Sequence, residues 1–170
     1  TRRYGQSLQK ITKVVPPRPG EIMFGLNMVV NKGKTVFIGD TSVHEYPSSK
    51  ELAEIAVSSA RVVRLFGFTP KVAFLSHSTF GQPMTSRTKH IRDAVDILKA
   101  KKVDFKFDGD MQPDVALNDE YKELYPMSEI VGNANVLIMP GQHSATISYK
   151  IMKEMSSSKV IGPLLIGLGA

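Results

Sequence analysis

A chain of 170 residues with 42% hydrophobic and 22% charged residues holds enough apolar material for one domain with a sizeable core. The absence of cysteine excludes disulfides and thiolate metal sites and fits a reducing, cytoplasmic setting. The net charge of +6 suits an anionic small molecule, whereas the scattered basic residues, the missing RNP and zinc-finger patterns, and the lack of any signal peptide or run near the roughly 18 apolar residues of a membrane helix speak against nucleic-acid and membrane partners.

The chain opens on Thr1 rather than Met, and its last strand-like run, Gly162-Pro163-Leu164-Leu165-Ile166-Gly167, stops three residues before the end. We therefore read it as a piece of a larger protein. Arg2-Arg3-Tyr4-Gly5 comes first, followed by a short helical pattern of Leu8, Ile11 and Val14 that Pro16-Pro17-Arg18-Pro19-Gly20 terminates. Arg2 and Arg3 are either an anion clamp or solvated charges. Ile22 to Val30 and Lys34 to Ile38 read as two strands joined through Asn31-Lys32-Gly33, a hairpin. Asp40-Thr41 closes the second strand, the carboxylate serving as a base or as a turn residue.

Ser48 and Glu51 have capping-box spacing and open a helix. Leu52, Ile55, Ala56, Ala60, Val63 and Phe66 give it a core-facing stripe, and Gly67 ends it. Val72 to Ser76 is a short buried strand, followed at once by His77-Ser78-Thr79-Phe80-Gly81. In open α/β sheets ligands bind at the carboxyl ends of strands, and the N–H groups and hydroxyls of such a loop suit a phosphate or carboxylate. The alternative is a plain βα turn. A helix over 86–101 turns Ile91, Ala94, Val95 and Leu98 inward, and Val103 to Phe107 is a strand. Asp108-Gly109-Asp110-Met111-Gln112 then reads as an acidic loop, which binds a metal, shares a proton or simply turns the chain. Asn135 to Met139 is another buried strand. Pro140 to Ser144 is its loop, and Thr146 to Met155 a helix with Ile147, Ile151 and Met155 on one face. Val160-Ile161 leads into the final strand. The four histidines lack metal-ligand spacing, and neither a G-x-G-x-x-G nor a P-loop motif is present.

This order predicts an α/β fold with a mixed, mostly parallel sheet and helices on both faces, three layers in all.

Several loops resemble those of phosphate acetyltransferase. Leu75-Ser76-His77-Ser78-Thr79-Phe80-Gly81 stands where that family has Leu-Ser-Tyr-Ser-Thr-x-Gly, and Asp108-Gly109-Asp110-Met111-Gln112-Pro113-Asp114 where it has Asp-Gly-Glu-Leu-Gln-x-Asp. Gly132-Asn133-Ala134-Asn135-Val136, Ile147-Ser148-Tyr149-Lys150 and Ile161-Gly162-Pro163 match three further motifs. The opening and Val36-Phe37-Ile38-Gly39-Asp40-Thr41-Ser42-Val43 are similar to the phosphotransacetylase-like C-terminal domain of large bacterial malic enzymes. The resemblance implies two α/β subdomains around a ligand cleft, of the kind seen in phosphotransacetylase and isocitrate dehydrogenase. Residues 1–20 would be an edge segment of the first subdomain, 21–160 the second, and 161–170 the start of the return to the first.

It also implies a regulatory, oligomerising domain without catalytic residues or a metal of its own. Acetyl-CoA would be its allosteric effector, held near Arg2, Arg3, Ser76, Ser78, Thr79, Gly81, Asp108 and Gly162. NAD(P) and a divalent metal would belong to the malic enzyme part, which converts malate to pyruvate and CO2. The other implied function is part of an active phosphate acetyltransferase, making acetyl phosphate and CoA from acetyl-CoA and phosphate. Against it stand Glu154, where transferases have an Arg, the sequence Gln142-His143-Ser144-Ala145-Thr146 in place of Asn-Ala-Gly-Asn, and a catalytic Ser-Arg pair that lies outside this sequence.

Overall fold

The computed structural model describes residues 4–169. Helix α1 (Tyr4–Val14) stops before the prolines, and strands β1 (Phe24–Asn31) and β2 (Lys34–Gly39) form the expected hairpin. Its two loop residues, Lys32 and Gly33, both have positive φ, 48° and 78°, the turn whose twist matches paired strands. Helix α2 (Ser49–Leu65) begins on a complete capping box, with the Ser48 hydroxyl accepting from Glu51 N–H and the Glu51 carboxylate accepting from Ser48 N–H. Its stripe from Leu52 to Val63 is buried as expected. Phe66 is partly exposed and reaches the core only by its ring, 5.7 Å from that of Phe37.

Strand β3 (Lys71–Leu75), helix α3 (Ser86–Lys101), strand β4 (Lys106–Met111), short helices α4 (Pro113–Leu117) and α5 (Asp119–Lys122), strand β5 (Val136–Ile138), helix α6 (Gln142–Met155) and strand β6 (Lys159–Ile166) follow. The strands lie in the order β4-β3-β5-β2-β1-β6. Strands β2 to β5 pair in parallel, and β6 runs with them because both β2 and β6 are antiparallel to β1. The expected boundary at 160/161 falls inside β6. One apolar cluster, with Phe37, Phe74, Val136 and Ile138, packs under α2 and α3; another, with Ile38, Leu75, Leu137 and Ala145, lies on the opposite face under α4 and α6. The fold is thus the three-layer α/β arrangement the sequence predicts. Among the described residues no helix is long and apolar enough to cross a membrane.

One element differs. The strand expected over 103–107 starts at Lys106 and runs on to Met111, so Asp108, Gly109 and Asp110 are buried strand residues and not a loop. Gly109 permits this. Its φ is 152°, and a Cβ there would stand 2.8 Å from the Phe74 carbonyl oxygen, so only glycine lets β4 approach β3 so closely. Both carboxylates are buried because each has donors waiting, as described next.

Candidate functional site at the carboxyl edge of the sheet

Parallel strands β2, β3, β4 and β5 all end on one edge, where the loops after them converge. The loop after β3 is knit to β4. The Ser78 hydroxyl donates to the Asp110 carboxylate, whose other oxygen accepts from Gly81 N–H at 3.0 Å. Phe80 N–H donates to the Asp110 carbonyl, and Gln112 N–H to the Thr79 hydroxyl. The Arg92 guanidinium, from α3, stands 3.6 Å from Asp110. Ser76 N–H is bonded to Met111, and its hydroxyl lies 3.1 Å from that of Ser78. Ser78 and Thr79 are buried, while Ser76 remains half-buried at the surface. Most donors of this loop are therefore spent on the protein itself, which is how a short polar loop is held rigid at a strand end.

Asp108 does something else. It accepts from Gly109 N–H and Glu129 N–H, and it takes no part in the Ser78 network. The two carboxylates have separate partners, and among the described residues no cluster of three or more His, Asp or Glu gathers as metal ligands. Gly162 is also apart, on β6, four strands across the sheet from β3. It sits in a bulge opposite β1, where a Cβ would come within 2.5 Å of Asn27 Oδ1 and 2.9 Å of the Leu26 carbonyl. Arg2 and Arg3 lie outside the described residues. Ser76, Ser78, Thr79 and Gly81 are thus brought together, and Asp108 and Gly162 are not with them. Glu154 is twelve residues along α6 from Gln142, roughly 18 Å by helical rise, so it faces the end of the fold away from these loops.

Sequence reasoning missed Asp110 and Arg92 as the partners of the loop; after β2 it named Asp40 as a base or turn residue but missed its pairing with His44. Asp40 accepts from the N–H groups of Gly25, Ser42, Val43 and His44, and from the His44 ring at 2.5 Å. Burial opposes its ionisation, but these donors, led by His44, outweigh burial and hold the carboxyl below its usual range. The hydrogen bond to Asp40 in turn raises His44 above the usual histidine value. No spacing rule points to this arrangement; an Asp four residues before a His in a loop is too common to single out.

Beyond that segment a cleft of 480 Å3 opens between the β2–α2 loop, the start of α3 and the β5–α6 loop. Tyr46, Arg87, His90 and His143 line it. His90 is already committed, its Nε2 bonded to the Pro47 carbonyl and its Nδ1 2.9 Å from the Ser49 hydroxyl. The geometry offers a rigid floor, the Arg87 guanidinium, which has no ion-pair partner among the described residues, and aromatic rings at the rim, all suited to binding an anionic ligand.

Comparison with known proteins agrees with this architecture. The chain is 45% identical over 168 residues to the NADP-dependent malic enzyme of Rhizobium meliloti, covering 99% of this chain and 22% of that enzyme. It is 36% identical over 142 residues to the phosphate acetyltransferase of Bacillus subtilis, covering 82% of this chain and 44% of the relative. It thus spans about a fifth of the malic enzymes it matches. The crystal structure of a phosphotransacetylase from Streptococcus pyogenes superposes with a TM-score of 0.90 at 28% identity, over 99% of this chain and 52% of that one. The family description "phosphate acetyl/butaryl transferase" matches residues 1–170, and the chain belongs to that family, as a phosphotransacetylase-like domain of the kind found in malic enzymes.

Proposed function

We propose that this chain is the regulatory domain of a malic-enzyme-type protein and binds acetyl-CoA at the carboxyl edge of its sheet without turning it over. The observation that carries the reading is the 45% identity, over 99% of the chain, to part of an NADP-dependent malic enzyme. Ser76 and Arg87 at that edge are suited to an anion, with Arg2 and Arg3 joining them on the strength of the resemblance. NAD(P) and a divalent metal would be held elsewhere in the full-length cytoplasmic protein. The exposed apolar row Ile147, Ile151 and Met155 on α6 supports a homo-oligomer. Binding would act on the distant malate site by favouring one arrangement of subunits over another.

The second reading, a phosphate acetyltransferase, draws support from the likeness to the Bacillus subtilis enzyme. One experiment separates the two. Full-length protein is assayed for malate-dependent NAD(P) reduction while acetyl-CoA is titrated in, and separately for acetyl phosphate formation from acetyl-CoA and phosphate. Inhibition of the first with no product in the second is expected. Acetyl phosphate clearly above a buffer blank would establish the transferase, and malate oxidation indifferent to saturating acetyl-CoA would end the regulatory reading.

A further inference from the structure

We propose that the chain carries a separate small-molecule pocket at the amino edge of the sheet, at the opposite end of the strands from the loops described above. Its ligand is a neutral molecule of one or two rings whose head group sets a hydrogen-bond donor beside an acceptor, as in an aromatic carboxamide. A cavity of 370 Å3 opens there between the β1–β2 hairpin, the turn before β5 and the end of α6. Val29, Val36, Leu117, Leu137 and Met152 line it, all of them from the apolar cluster under α4 and α6. Ligand pockets run from roughly 300 to 1,000 Å3, so this one sits at the small end and limits the size of its occupant.

One polar group in the lining has no use within the protein. The Asn133 side-chain amide has no hydrogen-bond partner among the described residues, and its Oδ1 is buried. Buried amide oxygens are nearly always paired. The turn does not ask for an asparagine at this position, because Gly132 takes the positive φ, 75°. Asn135 shows the contrast: its Oδ1 accepts from Lys71 N–H and its Nδ2 donates to the Thr69 carbonyl, both at 2.8 Å. The backbone on the far side of Asn133 is fixed as well. Ala134 N–H is bonded to the Ala116 carbonyl at 2.9 Å, and Asn135 N–H to the Lys71 carbonyl at 3.0 Å. The Asn133 amide, held by nothing, can turn about its broad terminal torsion and present oxygen and nitrogen together to a ligand. A backbone already in place keeps the entropy lost on binding small.

The rest of the wall selects the ligand's character. The Ser156 hydroxyl donates to the Met152 carbonyl and lies 2.6 Å from that of Ser158, so the serines satisfy one another. Lys34 lines the same cavity with no ion-pair partner among the described residues, and its charge disfavours a cation. A carboxamide on an apolar ring matches this set. Its N–H donates to Asn133 Oδ1, its carbonyl accepts from Nδ2, and its ring lies on the apolar floor.

The test uses full-length protein and three probes of similar shape: benzamide, acetophenone, which lacks the donor, and benzamidinium, which lacks the acceptor and carries a charge. Affinities are read by saturation-transfer NMR on wild type, Asn133→Leu and Asn31→Trp. Asn31 also lines the cavity, so the tryptophan obstructs it. Thermal melts confirm that each variant is folded. Wild type should bind benzamide at least about fivefold more tightly than either other probe, the order of one neutral hydrogen bond. Asn133→Leu should bind benzamide and acetophenone alike and melt no lower than wild type, since it breaks no bond within the protein. Asn31→Trp should bind neither. Equal binding of benzamide and acetophenone by wild type, benzamide binding that survives in both variants, or a clearly lower melt for Asn133→Leu overturns the proposal. So does the absence of benzamide binding to wild type, as when another part of the full-length protein fills the cavity. None of these outcomes bears on the acetyl-CoA reading.

Discussion

Asp40 and His44 together make a pH-dependent contact whose sign follows from their surroundings. His44 is raised above 6.5 by its bond to Asp40, so its contribution is full below 6.5 and is lost as pH rises through the folded-state value. Asp40, lowered from 3.8 by its donors against the pull of burial, contributes above 3.8 and loses that contribution as pH falls through its folded value. The pair is therefore most stabilising between 3.8 and 6.5. A His44→Gln variant should melt well below wild type at about pH 5.5 and approach it at about pH 9; a gap of constant size across that range would mean that the ring's charge does not matter. Replacing Asp40 should cost more than replacing His44 at every pH above 3.8, because several backbone donors then lose their acceptor, at about 1–3 kcal/mol for each left buried.

Strand β3 is the element on which both apolar clusters rest, with Val72 and Phe74 on one face and Ala73 and Leu75 on the other. Leu75→Asp would bury a carboxylate without a partner. We expect a loss of about 4 kcal/mol or more, which for a domain of this size is roughly 8–16 °C in Tm, measured by thermal or urea unfolding; a soluble variant with an unchanged melt would place Leu75 outside the core. That β3 is a core strand was readable from five consecutive residues of strand type, and α2 from its stripe and its cap. Strand β4 was misread because Asp-Gly-Asp has the composition of a turn. Its burial depends on Glu129, Ser78 and Gly81 donors far along the chain, and no local pattern encodes them. The same limit applies to the site. The loop motif around Ser78 was visible, but its partner Asp110 and the pairing of Tyr46 with His143, 97 residues apart, arise only when the strand ends meet. On α6, period alone grouped Ile147, Ile151 and Met155, yet the residues facing the sheet are Ala145, Tyr149 and Met152.

For the molecule as a whole, the three-layer sheet gathers the polar loops on one edge, while the row on α6 and strand β6 remain exposed on the flank. The chain also enters and leaves the sheet at one place. Pro17 bridges to Leu168, Arg18 N–H donates to the Gly167 carbonyl and Gly169 N–H to the Pro16 carbonyl, and the antiparallel pairing of β1 with β6 continues from there, Phe24 opposite Ile166 through Val30 opposite Lys159. Mechanically this is a zip fastener with both pull-tabs at the same end. Tension applied at residues 16 and 169 would load the rungs one after another, since antiparallel hydrogen bonds lie across the strands. Tension applied at residues 16 and 159 would shear the whole ladder at once. Force spectroscopy with tethers at the first pair of positions should record rupture at clearly lower force than with tethers at the second, and equal forces would show that the β1–β6 seam is not what yields. Whatever is joined to this domain on either side could thus peel open its flank with little effort, while the loops at the carboxyl edge stay clamped.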